Sequence, residues 1–135
     1  SWLVFDNDFL GSKNACPPDD PALVERAAGF KLPPSAANLY ARCINWQEWR
    51  GQIAFGMNPA DLDVFLTSAE VETPLASTGK PSLSALFADD AEAQRIETVT
   101  TYLYSENRRA DVWQYILIDT ADPSLYQVHI LFGRD

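Results

Sequence analysis

Histidine and cysteine are scarce in this chain, which has one histidine, His129, and two cysteines, Cys16 and Cys43. Hydrolase designs that need an imidazole base therefore have a single residue to use, and no GxSxG motif nominates a nucleophilic serine. CxxC motifs, further cysteine pairs and histidine clusters are also missing, so the common zinc and dithiol redox sites are excluded. The sequence predicts no catalytic residue, no metal site and no cofactor, and it favours a protein that is not an enzyme.

Basic residues are also few, because 10 Lys and Arg stand against 19 Asp and Glu, which gives a formal net charge of -9. The basic footprint that nucleic acid or an anionic membrane surface requires is missing. No nucleic-acid partner is therefore expected. An acidic surface is compatible with a basic protein partner or with a cation, although solubility is its commoner meaning.

Long apolar runs are missing as well. No run approaches the roughly 18 to 20 apolar residues that span a bilayer, so the sequence predicts no transmembrane segment. The start, SWLVFDNDFLG, has neither an initiator Met nor the basic region of a signal peptide. Two expectations follow: either a signal or anchor segment was removed before Ser1, or the chain begins inside a longer protein. The apolar residues 2–5 are then the remnant of an anchor or an ordinary edge strand.

The two cysteines are predicted to form a disulfide. Cys16 lies in NACPPDD, a polar, proline-rich stretch in which a thiol is poorly buried, and Cys43 lies on a predicted strand. The alternative is two buried free thiols in a reducing compartment. A bridge that closes a loop of about 28 residues stabilises the fold by roughly 3.5 kcal/mol on the loop-entropy model. The disulfide indicates an extracytoplasmic location: periplasmic, cell-surface or secreted.

The segment from Leu32 to Leu66 predicts a strand, a turn, a second strand and a capped helix. Apolar residues alternate with others on both strands, as in a half-buried hairpin. Asn58 then supplies a helix cap, Pro59 occupies the first helical position, and Asp61 lies in the first turn, where the helix dipole favours acid. The next apolar residues recur at helical spacing and predict one buried face: Leu62, Phe65, Leu66 and Ala69.

The whole chain, 1–135, is predicted to be a single α+β domain. Residues 1–20 form an N-terminal segment with a Pro-rich loop, a short helix ends at Gly29, and residues 71–97 form a long connection. Three strands are expected at Thr98 to Ser105, Asp111 to Asp119 and Leu125 to Phe132, with turns at 106–109 and 120–123. The fold is then an antiparallel sheet of about five strands, β-β-α-β-β-β, with a short N-terminal helix and helices packed on one face.

An aromatic sheet face is predicted from the register of the last hairpins. Pairing Ile118 with Leu125 places Trp113 beside Ile130, and the preceding hairpin places Tyr102 beside Trp113. The candidate pocket-lining residues are Tyr102, Trp113, Tyr115 and Tyr126. Core packing is the commoner role for such a set. Buried Tyr and Trp side chains need hydrogen-bond partners, however, so a ligand pocket stays an alternative interpretation. The same register sets His129 beside Gln114, as a half-exposed histidine without a role.

Hairpin tips supply the candidates for partner binding. Trp46 and Trp49 lie in the first hairpin's connection, where an exposed indole can anchor an interface or else fold back over the sheet edge. Arg108 and Arg109 lie at another predicted turn, where they can hold an anion or acidic partner or simply be solvated. The triplet at residues 6–8, Asp-Asn-Asp, is the one acidic cluster with plausible ligand oxygens, and a polar turn is the favoured interpretation.

The phrases LPPSAANLY and FGMNPADLDVFL, with a Trp between them, resemble a pattern of small uncharacterised bacterial secreted proteins and lipoproteins. The resemblance covers about a third of the chain, its motifs are a strand entry and a helix cap, and it implies an extracytoplasmic domain without naming site residues. The expected function is a non-enzymatic interaction or binding domain with a protein partner. Two alternatives stay open: a small-ligand binder or hydrolase that uses the tyrosine-rich face, and an immunity or inhibitor protein that offers its acidic surface to a basic toxin.

Overall fold

The residues that the structure describes form a five-stranded antiparallel sheet, and two short helices lie between its second and third strands in the sequence. The computed structural model describes residue 25 and residues 29–45, 50–71, 75–80, 90–109 and 112–134. The strands are β1 (Ala37–Asn45), β2 (Arg50–Met57), β3 (Tyr102–Arg109), β4 (Val112–Asp119) and β5 (Tyr126–Arg134), and the helices are α1 (Leu62–Ser68) and α2 (Asp90–Glu97). The strand order across the sheet is β1-β2-β5-β4-β3, so β5 lies at the centre between the two hairpins.

The helix start at Asn58 is confirmed. The Asn58 Oδ1 atom accepts a hydrogen bond from the Ala60 amide at 2.9 Å, and a 3-10 turn at Pro59–Asp61 leads into α1. Ser35, just before β1, stabilises this helix start. Its hydroxyl donates to Asp61 Oδ2 at 2.6 Å and accepts from the Asn58 amide at 2.8 Å. Pro59 at the first helical position and the Asn58 cap thus act as the sequence predicts.

Two chain reversals use residues in the left-handed region. Gly29, the predicted stop of the N-terminal helix, has φ of 78° and its amide donates to the Glu25 carbonyl at 2.9 Å. Glu70 has φ of 52° at the end of α1, where its amide donates to the Thr67 carbonyl and the Val71 amide donates to the Leu66 carbonyl, each at 3.1 Å. This pair of bonds is a Schellman motif, in which glycine is the favoured residue at the position that Glu70 occupies.

The centre of the sheet is buried on both faces, and we name each face by what lies on it. On the α1 face, Phe65 contacts Phe55 and Phe30 with ring centroids 5.8 and 5.4 Å away, and the same buried cluster includes Ile116, Ile118, Val128 and Ile130. On the opposite tyrosine face, Ile96 of α2 packs with Val99, which follows that helix, and with three strand residues: Tyr104, Leu117 and Leu131. Residues 116, 117 and 118 alternate between the clusters, as successive strand residues must.

The five-stranded antiparallel sheet is confirmed, but the expectation that the helices share one face is not. Phe65 of α1 and Ile96 of α2 belong to clusters on opposite faces of β4 and β5. The part of the chain that the structure describes is therefore mostly β, with α1 against one side of the sheet and α2 against the other. The reason is that β4 and β5 carry apolar residues at both odd and even positions. Both of their faces are therefore apolar and must be buried against other elements.

The register predicted for the last hairpin is wrong. Ile118 pairs with Val128 instead of Leu125, and Trp113 pairs with Gly133 instead of Ile130. A shift by an odd number of residues moves one strand's side chains to the other face. Tyr126 consequently packs with the α1-face cluster, and His129 lies opposite Leu117, only 7% exposed, instead of beside Gln114.

The turn predicted at residues 106–109 is also wrong, because β3 continues to Arg109. The polar sequence ENRR suggests a loop, yet Glu106 and Arg108 are exposed strand residues, whereas Asn107 between them is 6% exposed. The Asn107 side-chain amide donates to Gln114 Oε1 at 3.1 Å and to the Ala69 carbonyl at 3.2 Å, which compensates its burial. Tyr102 therefore pairs with Asp119, and Arg108 pairs with Trp113.

Several predictions lie outside the described residues. Cys16, Trp46, Trp49, the triplet at 6–8 and the segment 1–20 are among them, and so are the side chains of Cys43 and Arg109. The predicted disulfide therefore stays a prediction. Within the connection 71–97, the described parts contain α2 and a bridge in which Ala76 and Tyr104 exchange backbone hydrogen bonds at 2.8 and 2.9 Å.

Candidate functional site

The β3–β4 hairpin builds the first candidate site, which we call the Trp113 surface: Glu106, Arg108, Trp113 and Tyr115. The antiparallel register sets Arg108 opposite Trp113 and Glu106 opposite Tyr115, so that all four side chains lie on the tyrosine face. Together with the backbone of Asn107 and Gln114 they line a depression of about 370 Å³. The two charged residues are exposed and the two aromatic residues are half-buried. The depression thus combines apolar rings with one charge of each sign.

Trp113 is held in place by its neighbours on both sides. It is the cross-strand partner of Gly133, and a Cβ atom on Gly133 would come within 2.4 Å of Trp113 Cζ2, so the indole lies directly on the glycine backbone. The Tyr115 ring lies 5.3 Å away between centroids at an interplanar angle of 56°. A larger residue at position 133 would displace the indole. Glycine is therefore needed there for close approach of the ring, not for an unusual backbone conformation.

Hydrogen bonds fix the tyrosines beside the Trp113 surface. The Tyr104 hydroxyl donates to Glu106 Oε1 at 3.0 Å, and burial, followed by this hydrogen bond and the Glu106 charge, raises the pKa of Tyr104 well above its usual range. The Tyr102 hydroxyl accepts from the Lys80 amide at 3.0 Å, and the Lys80 ammonium lies 5.8 Å from the Tyr102 ring centroid. These hydrogen bonds order the two tyrosines on this face.

A second candidate site, the His129 cleft, lies on the same face over the other end of the sheet. Its floor crosses four strands and its wall comes from the end of α2, and it encloses about 360 Å³. The hollow exists because Ala54, between Tyr40 and His129 in the ladder, is small, as is the next residue on that face, Gly56. The side chains that line it are Asn38, Tyr40, Ala54, Arg95, Thr98, Val99, Asp119, Gln127 and His129.

A buried glutamine adjoins this cleft. Gln52 is fully buried on the tyrosine face, and its Nε2 atom donates to the Tyr40 hydroxyl at 3.4 Å. Its other terminal atom, Oε1, is buried and accepts no hydrogen bond within the part of the chain that the structure describes. A buried acceptor without a partner costs free energy, so packing alone does not explain the choice of glutamine over an apolar residue.

The structure brings together some of the residues predicted from the sequence and separates others. Arg108, predicted to lie at a turn, and Trp113 and Tyr115, predicted to line a pocket, meet in the Trp113 surface. Tyr102 shares their face but lies at the far end of β3, and Tyr126 faces α1. Sequence reasoning missed every residue of the His129 cleft except His129 itself. The small pair Ala54 and Gly56, at alternate strand positions, is the signal that a correct register would have made visible.

Comparisons with known proteins add no name to this geometry: no protein-family model matches the chain, and neither the curated proteins nor the solved structures give a match. Within the described residues, no group of three or more His, Cys, Asp or Glu side chains is arranged to hold a metal ion. The helices in that part of the chain are all too short or too polar to cross a membrane. The functional argument therefore rests on the two sites themselves.

Proposed function

We propose that the protein is a non-enzymatic interaction domain that binds a protein partner through the Trp113 surface and acts outside the cytoplasm. The observation that carries the proposal is the β3–β4 register, which sets Arg108 opposite Trp113 and Glu106 opposite Tyr115. Trp, Tyr and Arg are the residues most enriched at the energetic centres of protein interfaces. The location is supported by the sequence alone, through the environment of Cys16 and the cysteine count.

The side chains of the Trp113 surface are already ordered in the free protein, and this supports a binding function. Trp113 is confined between Gly133 and Tyr115, and the Tyr104 hydroxyl is bonded to Glu106. Side chains that are already ordered lose little conformational entropy when a partner binds, so more of the contact energy appears as affinity. An indole that is half-buried in the free protein also offers a flat apolar area that a partner can cover completely.

Charge indicates the kind of partner. The net charge of -9 attracts a basic protein over a distance, and Glu106 places one carboxylate within the site itself. Such steering raises the association rate and weakens as salt is added. An immunity or inhibitor protein that covers a basic toxin is the most specific form of this proposal. The tyrosine pocket of a small-ligand binder or hydrolase has less support, because Tyr126 faces away from Tyr102 and Tyr115.

The test is quantitative capture of proteins from the native source by the purified chain. Arg108→Glu is the variant, and Lys31→Glu is the matched control, because it makes the same change of net charge at an exposed residue. A partner of the Trp113 surface should bind Arg108→Glu at least tenfold more weakly, in line with the loss of a central interface residue, and bind Lys31→Glu as it binds the unmodified chain.

Trp113→Phe supplies an independent second variant, since it keeps a ring on Gly133 but removes the indole. Thermal unfolding checks that each variant is folded. Failure to capture any protein, or capture that is equal for Arg108→Glu, Trp113→Phe and the control, would overturn the proposal.

A further inference from the structure

We infer that the His129 cleft is a second binding site, and that its ligand is a small, neutral, polyhydroxylated molecule of the size of a sugar ring. The cleft lies over β1, β2, β5 and β4, whereas the Trp113 surface lies at the opposite end of β3 and β4, so the inference goes beyond the proposed function. The volume of about 360 Å³ is in the lower part of the range of small-molecule sites.

The balance of charges in the lining indicates a ligand without net charge. Arg95 on the wall and Asp119 on the floor carry opposite charges, and neither sign is in excess among the other lining groups. The Asp119 carboxylate already accepts a hydrogen bond from the Ala121 amide at 3.0 Å, which offsets part of its demand for a counter-ion. A phosphate or a simple carboxylate would meet Asp119 as a like charge.

The mixture of donors and acceptors indicates hydroxyl groups. Asn38 and Gln127 each present an amide with both functions, and Tyr40 and Thr98 present hydroxyls. The Thr98 hydroxyl donates to the Arg95 carbonyl at 2.8 Å, so its oxygen is left with the role of an acceptor. A sugar hydroxyl donates and accepts at once and can therefore use every one of these groups. The Ala54 methyl and the Val99 side chain leave an apolar area for the C–H face of such a ring.

Gln52 strengthens the inference as a positioning residue. Its Nε2 atom holds the Tyr40 hydroxyl at the cleft while its Oε1 atom stays buried without a partner. A fully buried leucine at this position would avoid that cost and would no longer hold Tyr40. A glutamine that lowers stability at this position is expected where the group it orients contacts a ligand.

The test is saturation-transfer NMR with separate panels of neutral monosaccharides, amino acids and simple carboxylates. We expect at least one monosaccharide to bind the unmodified chain, and Ala54→Leu, which fills the hollow, to weaken binding at least tenfold. Gln127→Ala removes one polar group without filling the hollow and should give an intermediate loss. Arg108→Glu, at the other site, should bind sugar as the unmodified chain does.

Gln52→Leu separates positioning from structure. It should bind the sugar at least threefold more weakly while its melting temperature is equal to or higher than that of the unmodified chain. Binding of amino acids or carboxylates but of no sugar, or of nothing at all, overturns the inference. The inference is also overturned if Ala54→Leu and Gln127→Ala both bind the sugar as tightly as the unmodified chain does. Unchanged sugar binding by Gln52→Leu overturns the role of Gln52. None of these outcomes depends on whether the Trp113 surface binds a protein.

Discussion

The two faces of the sheet are built from the same strands but differ in chemistry. The α1 face is closed by three phenylalanines, Phe30, Phe55 and Phe65, over aliphatic residues of the central strands. The tyrosine face buries a smaller apolar cluster and carries both depressions, with aromatic hydroxyls, amides and the only histidine of the sequence. The difference indicates that the α1 face supplies most of the stability, and it supports the proposal that binding takes place on the tyrosine face.

The physical basis of this contrast is the cost of buried polar groups. Dispersion and the hydrophobic effect stabilise a dry cluster without any directional requirement, whereas each polar group on the tyrosine face needs a partner. On the α1 face the buried polar pair Asn107 and Gln114 is bonded to itself and to the Ala69 carbonyl. Each face also keeps one buried oxygen that has no hydrogen-bond partner within the described part of the chain: Ser105 Oγ on the α1 face and Gln52 Oε1 on the tyrosine face.

The largest expected effect on stability comes from a substitution on the α1 face. Phe65→Ala should lower the free energy of unfolding by about 3 to 5 kcal/mol, because Phe65 is fully buried and contacts two other rings. Urea unfolding followed by circular dichroism measures the change. Val64→Ala is the control on the same helix, since Val64 is 54% exposed, and it should change stability by less than about 0.5 kcal/mol. Equal effects would mean that α1 does not close the core.

The second effect tests the tyrosine face. Gly133→Ala should cost about 1 to 3 kcal/mol, because the new methyl group would overlap the Trp113 indole, and it should also weaken partner binding at the Trp113 surface. Gly56→Ala is the control: its added methyl group meets flexible side chains, Leu125 Cδ1 at 3.3 Å and Gln127 Nε2 at 3.5 Å, and should cost less than about 1 kcal/mol. If Gly133→Ala left the free energy of unfolding unchanged, the indole would not lie on the glycine.

A third prediction concerns the end of α1. Glu70→Gly should be more stable than Glu70→Ala by about 1 kcal/mol, because Glu70 has φ of 52°, where only glycine lacks the steric penalty. Both variants remove the same side chain, so their difference in unfolding free energy isolates the backbone term. No difference between them would contradict the left-handed conformation of residue 70.

The smallest effect is a titration on the tyrosine face. Burial and Glu106 raise the folded-state pKa of Tyr104, so the stability that its protonated form contributes is complete below the usual tyrosine pKa of about 10 and is lost as pH rises beyond it. Tyrosinate absorbance should show that Tyr104 ionises at a pH above the usual tyrosine pKa. Glu106→Gln should bring that titration to lower pH, and Tyr102→Phe should leave it unchanged.

Local signals in the sequence predicted the local structure well. Asn58 and Pro59 fix the start of α1 through a side-chain cap and a preset φ, and both act within a few residues. The alternation on either side of residues 46–49 predicted β1 and β2, which pair as an antiparallel hairpin. Five strands and their antiparallel arrangement followed from such patterns.

The non-local features could not be predicted in the same way. The β4–β5 register depends on the loop after Asp119, where the Asp119 and Asp122 carboxylates accept backbone amides and carry the turn through Leu125. Because β4 has apolar residues at both odd and even positions, its hydrophobic pattern does not show which residues lie on which face. The Trp113 surface and the His129 cleft both depend on this register, so neither set of residues could be assembled from the sequence alone.

The most direct test of the account places a photo-crosslinking side chain at position 115, on the Trp113 surface, and at position 64, on the exposed side of α1, in the full chain within its native source. We predict a protein adduct from position 115 that is lost when Arg108→Glu is added, and no such adduct from position 64. The same adducts from both positions, or none from position 115, would contradict the assignment of binding to the tyrosine face.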